Sequence, residues 1–102
     1  MIDYTRDNLK QLKTIGTAAP AGMQGFQALN SGAFGDGAND AKPKDLIAVA
    51  VAIAKECPYC MDIHGAKARE AGATDVELAE AALVAAAIGA GAAMTHATHV
   101  FA

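Results

Sequence analysis

Eight residues constrain this chain more than any other stretch: Cys57-Pro58-Tyr59-Cys60-Met61-Asp62-Ile63-His64. Proline is tolerated in the first turn of a helix, where its missing N–H would have had no partner anyway, so a helix opening at Pro58 makes Cys57 its N-cap. Cys60 then falls in the first turn. Side chains three and four residues apart stack along one helix face, which lines up Cys57, Cys60 and His64. Local geometry alone therefore gathers two thiols and an imidazole at the positive end of a helix.

The chemistry open to such a group follows from the state of the sulfur. A thiol attacks only as thiolate, and an unperturbed cysteine, with a pKa of about 8.5, is mostly protonated at neutral pH. A helix N-terminus stabilises the anion, and an imidazole one turn away takes the proton and then pairs with it. Cys60 has both helpers. A histidine base works best when a carboxylate orients it, and Asp45 is the candidate. In one straight helix Asp45 would lie roughly 18 Å from Cys57. If the chain reverses at residues 55–58 into an antiparallel helix hairpin, Asp45 instead comes opposite His64. The expected relay runs from Asp45 to His64 to Cys60, with Cys57 closing the disulfide. Aspartate at position 45 also suits a first helical turn for the sake of the dipole, so a capping reading stands beside the catalytic one.

Rival readings of the motif are a pair of buried small hydrophobes and a zinc site, with two thiolates, His64 and a fourth ligand such as Asp45. Covalent haem attachment is excluded, because Met61 stands where that motif needs histidine. Glu56 reads first as a surface residue, although a negative charge beside Cys57 would raise that thiol's pKa, as suits a resolving cysteine. Tyr59 reads equally as a pocket wall or a packed side chain. His96 and His99 read as an exposed face rather than a ligand pair.

Elsewhere the pattern is helical, with no sustained alternation, so the expectation is an all-α bundle of about six helices in one domain, residues 1–102, with the cysteine motif opening a central helix. Residues 3–15 form the first helix, stopped by Gly16. A second starts near Pro20, and residues 31–40 read as a glycine-rich loop. Residues 45–55 are apolar on every side and need cover all round. The cysteine helix runs to about residue 71, with Gly72 as its C-cap. Thr74 and Glu77 make a capping box for a helix over 75–88. Gly89-Ala90-Gly91 interrupts it before a last helix over 92–101.

Of the 102 residues, 53% are apolar, mostly small aliphatics, and only 5% aromatic, so helices must pack at close range. A formal net charge of −3 without a basic cluster argues against nucleic acid. The longest strongly aliphatic run, residues 46–54, is about half of what a bilayer crossing needs, and no basic or apolar leader opens the chain. A cytoplasmic protein with reduced, reactive cysteines is expected, with no membrane partner and no cofactor. Val84 to Ala93 contains no polar side chain. One small domain cannot wrap both apolar runs, which predicts a homo-oligomer.

Asp45, the C-x-x-C and His64, with Lys44-Asp45-Leu46-Ile47-Ala48-Val49-Ala50-Val51 before them and His64-Gly65-Ala66-Lys67-Ala68-Arg69-Glu70-Ala71-Gly72-Ala73-Thr74 after, resemble the core block of the alkylhydroperoxidase D-like branch of the carboxymuconolactone decarboxylase family. The likeness covers about residues 43–93. It implies an all-helical fold, a trimer or hexamer, and an antioxidant thiol peroxidase or disulfide oxidoreductase cycling between dithiol and disulfide. Its substrates would be a hydroperoxide and a dithiol reductant, such as a lipoamide-linked one. Cys57, Cys60 and His64 match the family's residues, and its acid falls on Asp45. Two positions depart from the pattern. The acid is usually glutamate, and the shorter aspartate leaves room for a water-mediated contact with His64. Tyr59 stands where the best-described peroxidases often carry a second histidine. The alternatives within and beyond this family are lactone decarboxylation, whose members generally lack the C-x-x-C, and a non-catalytic zinc-binding or redox-sensing subunit.

Overall fold

Helix starts fall where the capping chemistry puts them. In the computed structural model, which describes residues 3–102, a 3-10 turn over Arg6–Gln11 leads into α1 (Leu12–Ala18) and α2 (Pro20–Phe34). Then follow α3 (Ala41–Ala54), α4 (Pro58–Glu70), α5 (Asp75–Ala97) and a final 3-10 turn, Thr98–Phe101. Five α-helices and no strand are found among the described residues. Met1 and Ile2, part of the stretch read above for a leader, lie outside them.

Pro20 and Pro58 occupy first turns, and Pro43 lies in the first turn of α3. The capping box at Thr74 is complete: Glu77 N–H donates to Thr74 Oγ1 at 3.2 Å and Thr74 N–H to Glu77 Oε1 at 3.1 Å. Gly72, at φ 95°, ends α4 in the left-handed region, while the amides of Gly72 and Ala73 reach back to Arg69 and Ala68.

Three sequence-based stops fail, each for a physical reason. Gly16 does not end α1, which runs on to Ala18. A Cβ on Gly16 would lie 3.2 Å from Met23 Cγ, so the glycine serves the close approach of α1 and α2. Residues 31–34, read as loop, form the last turn of α2, where the Phe34 ring packs on His64. Gly89 and Gly91 do not interrupt α5, because the alanines around them are the best helix formers and offset a glycine cost of about 1 kcal/mol each. What was expected as a separate last helix over 92–101 is therefore the end of α5 followed by the 3-10 turn Thr98–Phe101.

α3 packs against both α4 and α5, and these three hold what core there is. Val49, Ala68 and Ala73 form its centre, with Leu46, Ile53 and Leu78 around them. α1 and α2 pair with each other and meet the rest chiefly through the end of α2 and through the N-terminal 3-10 turn against α4. The outline is more open than the compact bundle expected. Its radius of gyration is 16.6 Å, against about 13 Å for a compact domain of this length. Its accessible surface is 7652 Å², where roughly 5,400 Å² is usual at this mass.

The excess surface is apolar. Ile47 and Val51 on α3, which the sequence says need cover, are half exposed, and on α5 Leu83, Val84 and Ile88 are 60–70% exposed. α5 with its final turn is also long and apolar enough to cross a bilayer, a length the expected break at Gly89 would have denied it. Its capping box, and the Lys42–Glu77 ion pair at 3.2 Å that ties it to α3, put charges at one end of that span. An excess of about 2,000 Å² is the scale of an obligate subunit interface, so we expect copies of this chain to cover one another. Light scattering at micromolar concentration should give a mass that is a multiple of 10.3 kDa. Leu83→Glu with Ile88→Glu should lower that mass; a uniform 10.3 kDa species from the unaltered protein would refute the expectation.

Candidate active site

The site is built on the turn between α3 and α4. Two amides close it: Glu56 N–H donates to Ile53 O at 3.0 Å and Cys57 N–H to Ala52 O at 3.0 Å. Between them Glu56 takes φ 53°, the left-handed conformation that this helix ending demands and that glycine normally supplies. The reversal is the antiparallel hairpin the sequence reading required.

Cys57 is the N-cap of α4, as the sequence implies, and its Sγ accepts the Cys60 N–H at 3.2 Å. The two cysteines are joined as a disulfide, their Cα atoms 5.2 Å apart. Both are half-buried. One turn on, His64 lies flat against Phe34, with ring centroids 5.1 Å apart and planes 8° from parallel, while Lys67 Nζ lies 5.9 Å from the same phenyl ring.

Two clefts converge on this point. One, of about 450 Å³, opens between the end of α2 and the face of α3; the other, of about 510 Å³, opens between the N-terminal segment, α2 and α4. Cys60 and His64 line both, and Cys57 lines neither. Of the two cysteines, Cys60 is the one that borders these clefts.

His64 is held below its ordinary pKa of 6.5, first by burial and second by the Lys67 ammonium, against which the Asp45 carboxylate pulls it up. Asp45 acts on the imidazole through charge. His64 Nδ1 is buried and no hydrogen bond joins it to Asp45 among the described residues, as the shorter aspartate leads one to expect. Asp45 therefore meets His64 through its charge, without a hydrogen bond to Nδ1.

Tyr59 is resolved by its contacts. Its hydroxyl accepts a hydrogen bond from Asn8 Nδ2 at 2.7 Å and donates to Asp3 O at 3.3 Å, its ring meets Tyr4 edge-on, and Arg6 pairs with Asp62 at 2.5 Å one turn further on. It fastens the N-terminal segment over the cysteine helix and lines the second cleft as well. His96 and His99 are exposed, with ring centroids 5.9 Å apart, far from the cysteines in sequence and outside both clefts. No group of three or more His, Cys, Asp or Glu side chains converges as a metal site among the described residues. Sequence reasoning missed Phe34 and Lys67, because nothing local ties a phenyl ring at 34 to an imidazole at 64.

A helical hairpin presenting an N-terminal C-x-x-C and a partly buried histidine to open clefts defines a class of small all-α thiol proteins. The comparisons narrow it: residues 20–102 match the carboxymuconolactone decarboxylase family, and the chain belongs to that family. A cox-locus protein of Paracoccus denitrificans, of uncharacterised function, is 43% identical over 96 residues, spanning 91% of this chain and 86% of that one. An uncharacterised Cupriavidus necator protein is 41% identical over 70% of this chain, which spans 63% of it. Among solved structures, a carboxymuconolactone decarboxylase family protein of Legionella pneumophila superposes with a TM-score of 0.80 at 38% identity, over 92% of this chain and 84% of its own. A Methanobacterium thermoautotrophicum protein gives 0.81 at 38% identity, over 84% and 97%.

Two measurements check this geometry. By proton NMR of the disulfide form, the His64 ring should titrate below 6.5. Asp45→Asn should move it further down, whereas Lys67→Met, or Phe34→Ala by letting water in, should move it up. Because the folded pKa lies below the unfolded one, the neutral ring's contribution to stability is complete above 6.5 and is lost as pH falls through the folded value. In urea unfolding, Glu56→Gly should raise stability by up to about 1 kcal/mol, through relief of left-handed strain that a flexible glycine partly offsets; a loss would show that the turn carries none.

Proposed function

We propose that this protein is a thiol-dependent peroxidase or disulfide oxidoreductase of antioxidant character, cycling Cys57 and Cys60 between dithiol and disulfide in a reducing cytoplasm. The observation that carries the reading is the division of labour between the sulfurs. Cys60 lies one turn from His64 and lines both clefts, while Cys57 lines neither and is bonded to it.

In the reduced protein His64 accepts the Cys60 proton. The thiolate attacks one peroxide oxygen, the O–O bond breaks, and the departing alkoxide takes the proton from the imidazolium, leaving a sulfenic acid on Cys60. The Cys57 thiol attacks that sulfur, forming the disulfide and releasing water. An outside dithiol, of lipoamide type by the family resemblance, then attacks the Cys60 sulfur from the clefts it borders. Cys57 leaves as a thiolate eased by the Cys60 N–H at the helix N-terminus. Completion of the exchange returns two electrons and two protons and releases the reductant as a disulfide. Subunit association, which we also propose, would leave this cycle unaltered while covering α5.

With a hydroperoxide and a dithiol, Cys60→Ser should abolish consumption, and His64→Ala should slow it roughly a hundredfold. Cys57→Ser, which keeps an N-cap oxygen, should stop turnover after one sulfenic acid, trapped by dimedone on Cys60 and read by mass spectrometry. Unchanged consumption in both serine variants, or an adduct on Cys57 in the Cys60→Ser protein at the wild-type rate, would overturn the reading.

A further inference from the structure

The cleft between α2 and α3 carries a charge pattern the redox cycle does not need. The chain as a whole is acidic, at −3, yet this cleft is walled by apolar side chains, Phe34, Ile47 and Val51 among them, with Lys44 and Lys55 as its charged lining residues and no carboxylate. Lys44 is half-buried, and its ammonium donates to Gly35 O in the turn after α2, which holds it at the cleft rather than out in solvent. The turn leaves two of its three N–H donors free for a guest.

Spacing along α3 gives the cleft a direction. Cys57 N–H bonds Ala52 O, so α4 runs back along α3 with Cys60 near the level of Ala52. Eight residues of helix separate Ala52 from Lys44, roughly 12 Å. A molecule anchored by an anion at Lys44 and reacting at Cys60 must therefore carry its reactive group at the far side of an apolar chain of on the order of ten carbons, at ordinary carbon–carbon bond lengths. The exposed faces of Ile47 and Val51 lie along that path.

We propose that this cleft binds long-chain carboxylates, with Lys44 as the residue that selects them, so that the preferred oxidant is a fatty-acid hydroperoxide bearing its peroxide near mid-chain. The proposal rests on the peroxidase reading for the chemistry but not for the binding. Lys55, at the thiol end, adds to the positive field that draws the anion in.

Binding is measured on the double variant Cys57→Ser, Cys60→Ser, which cannot turn over, by displacement of a fluorescent fatty acid with oleate and with methyl oleate. Oleate should displace it, and methyl oleate should bind more weakly. Lys44→Gln should weaken oleate by roughly three- to tenfold with little effect on the ester, and Lys44→Arg should restore it. Equal binding of acid and ester, or an oleate affinity indifferent to Lys44→Gln, would overturn the proposal. With both cysteines present, Lys44→Gln should lower the ratio of kcat/KM for linoleate hydroperoxide to that for tert-butyl hydroperoxide by the same factor. Carboxylate binding without any peroxide turnover would remove the peroxidase reading and leave the cleft's ligand class standing. Turnover indifferent to the carboxylate would do the reverse.

Discussion

The amide of Cys57 bonded to the carbonyl of Ala52 is the contact on which the site depends. It closes the reversal from α3 into α4 within the three residues 55–57 and so fixes which side chains face each other across the hairpin. With Cys60 near the level of Ala52, His64 comes near that of Ala48, and two small side chains opposite the thiol and the imidazole leave the floor of the first cleft open. Larger residues there would fill it. The same reversal puts Cys57 at the N-cap, where its sulfur takes a backbone donor that a helix would otherwise leave unpaired. Glu56 bears the conformational cost, at φ 53° with no glycine to relieve it. Strain sits beside the reactive disulfide, in a turn of two helices rather than in either helix.

Features set by local chemistry were legible in the sequence. Pro58, the Thr74–Glu77 pair and Gly72 act within a turn of themselves, and each marks its boundary to within a residue or two. The hairpin, and with it the relation of Asp45 to His64, followed from helix geometry and the length of chain between them. What failed was decided at a distance. Gly16 is small for Met23, and Ser31 to Phe34 stay helical with Phe34 stacked on a ring thirty residues on. Gly89 and Gly91 behave differently again, since an added Cβ would meet nothing within 4 Å in this chain. Their smallness answers to no contact inside the protomer, which fits a surface made for close approach of another copy.

A small core bears out the same economy. Among the described residues five form the buried apolar set, four of them alanine, and no large side chain is fully buried. Such a chain gains little from burying its own surface, which is the physical ground for the association expected above. The hairpin of α3 and α4, with α5 against α3, holds most of the packing. α5, whose exposed apolar residues run along its length, is the obvious joint.

The charges around His64 then decide how the hairpin works as chemistry. In the disulfide form there is no thiolate nearby, and burial against Phe34 with Lys67 close by favours the neutral ring. Reduction reverses the balance, because a thiolate one turn away favours the imidazolium, as Asp45 already does across the hairpin. In the proposed cycle the ring is a neutral base when a proton has to be taken from Cys60 and a cation once it has been. Neither Lys67 nor Asp45 touches sulfur, yet their opposition keeps the imidazole from being fixed in either state. A stronger acid partner, hydrogen-bonded directly, would hold the proton on the ring and oppose its return to the leaving alkoxide.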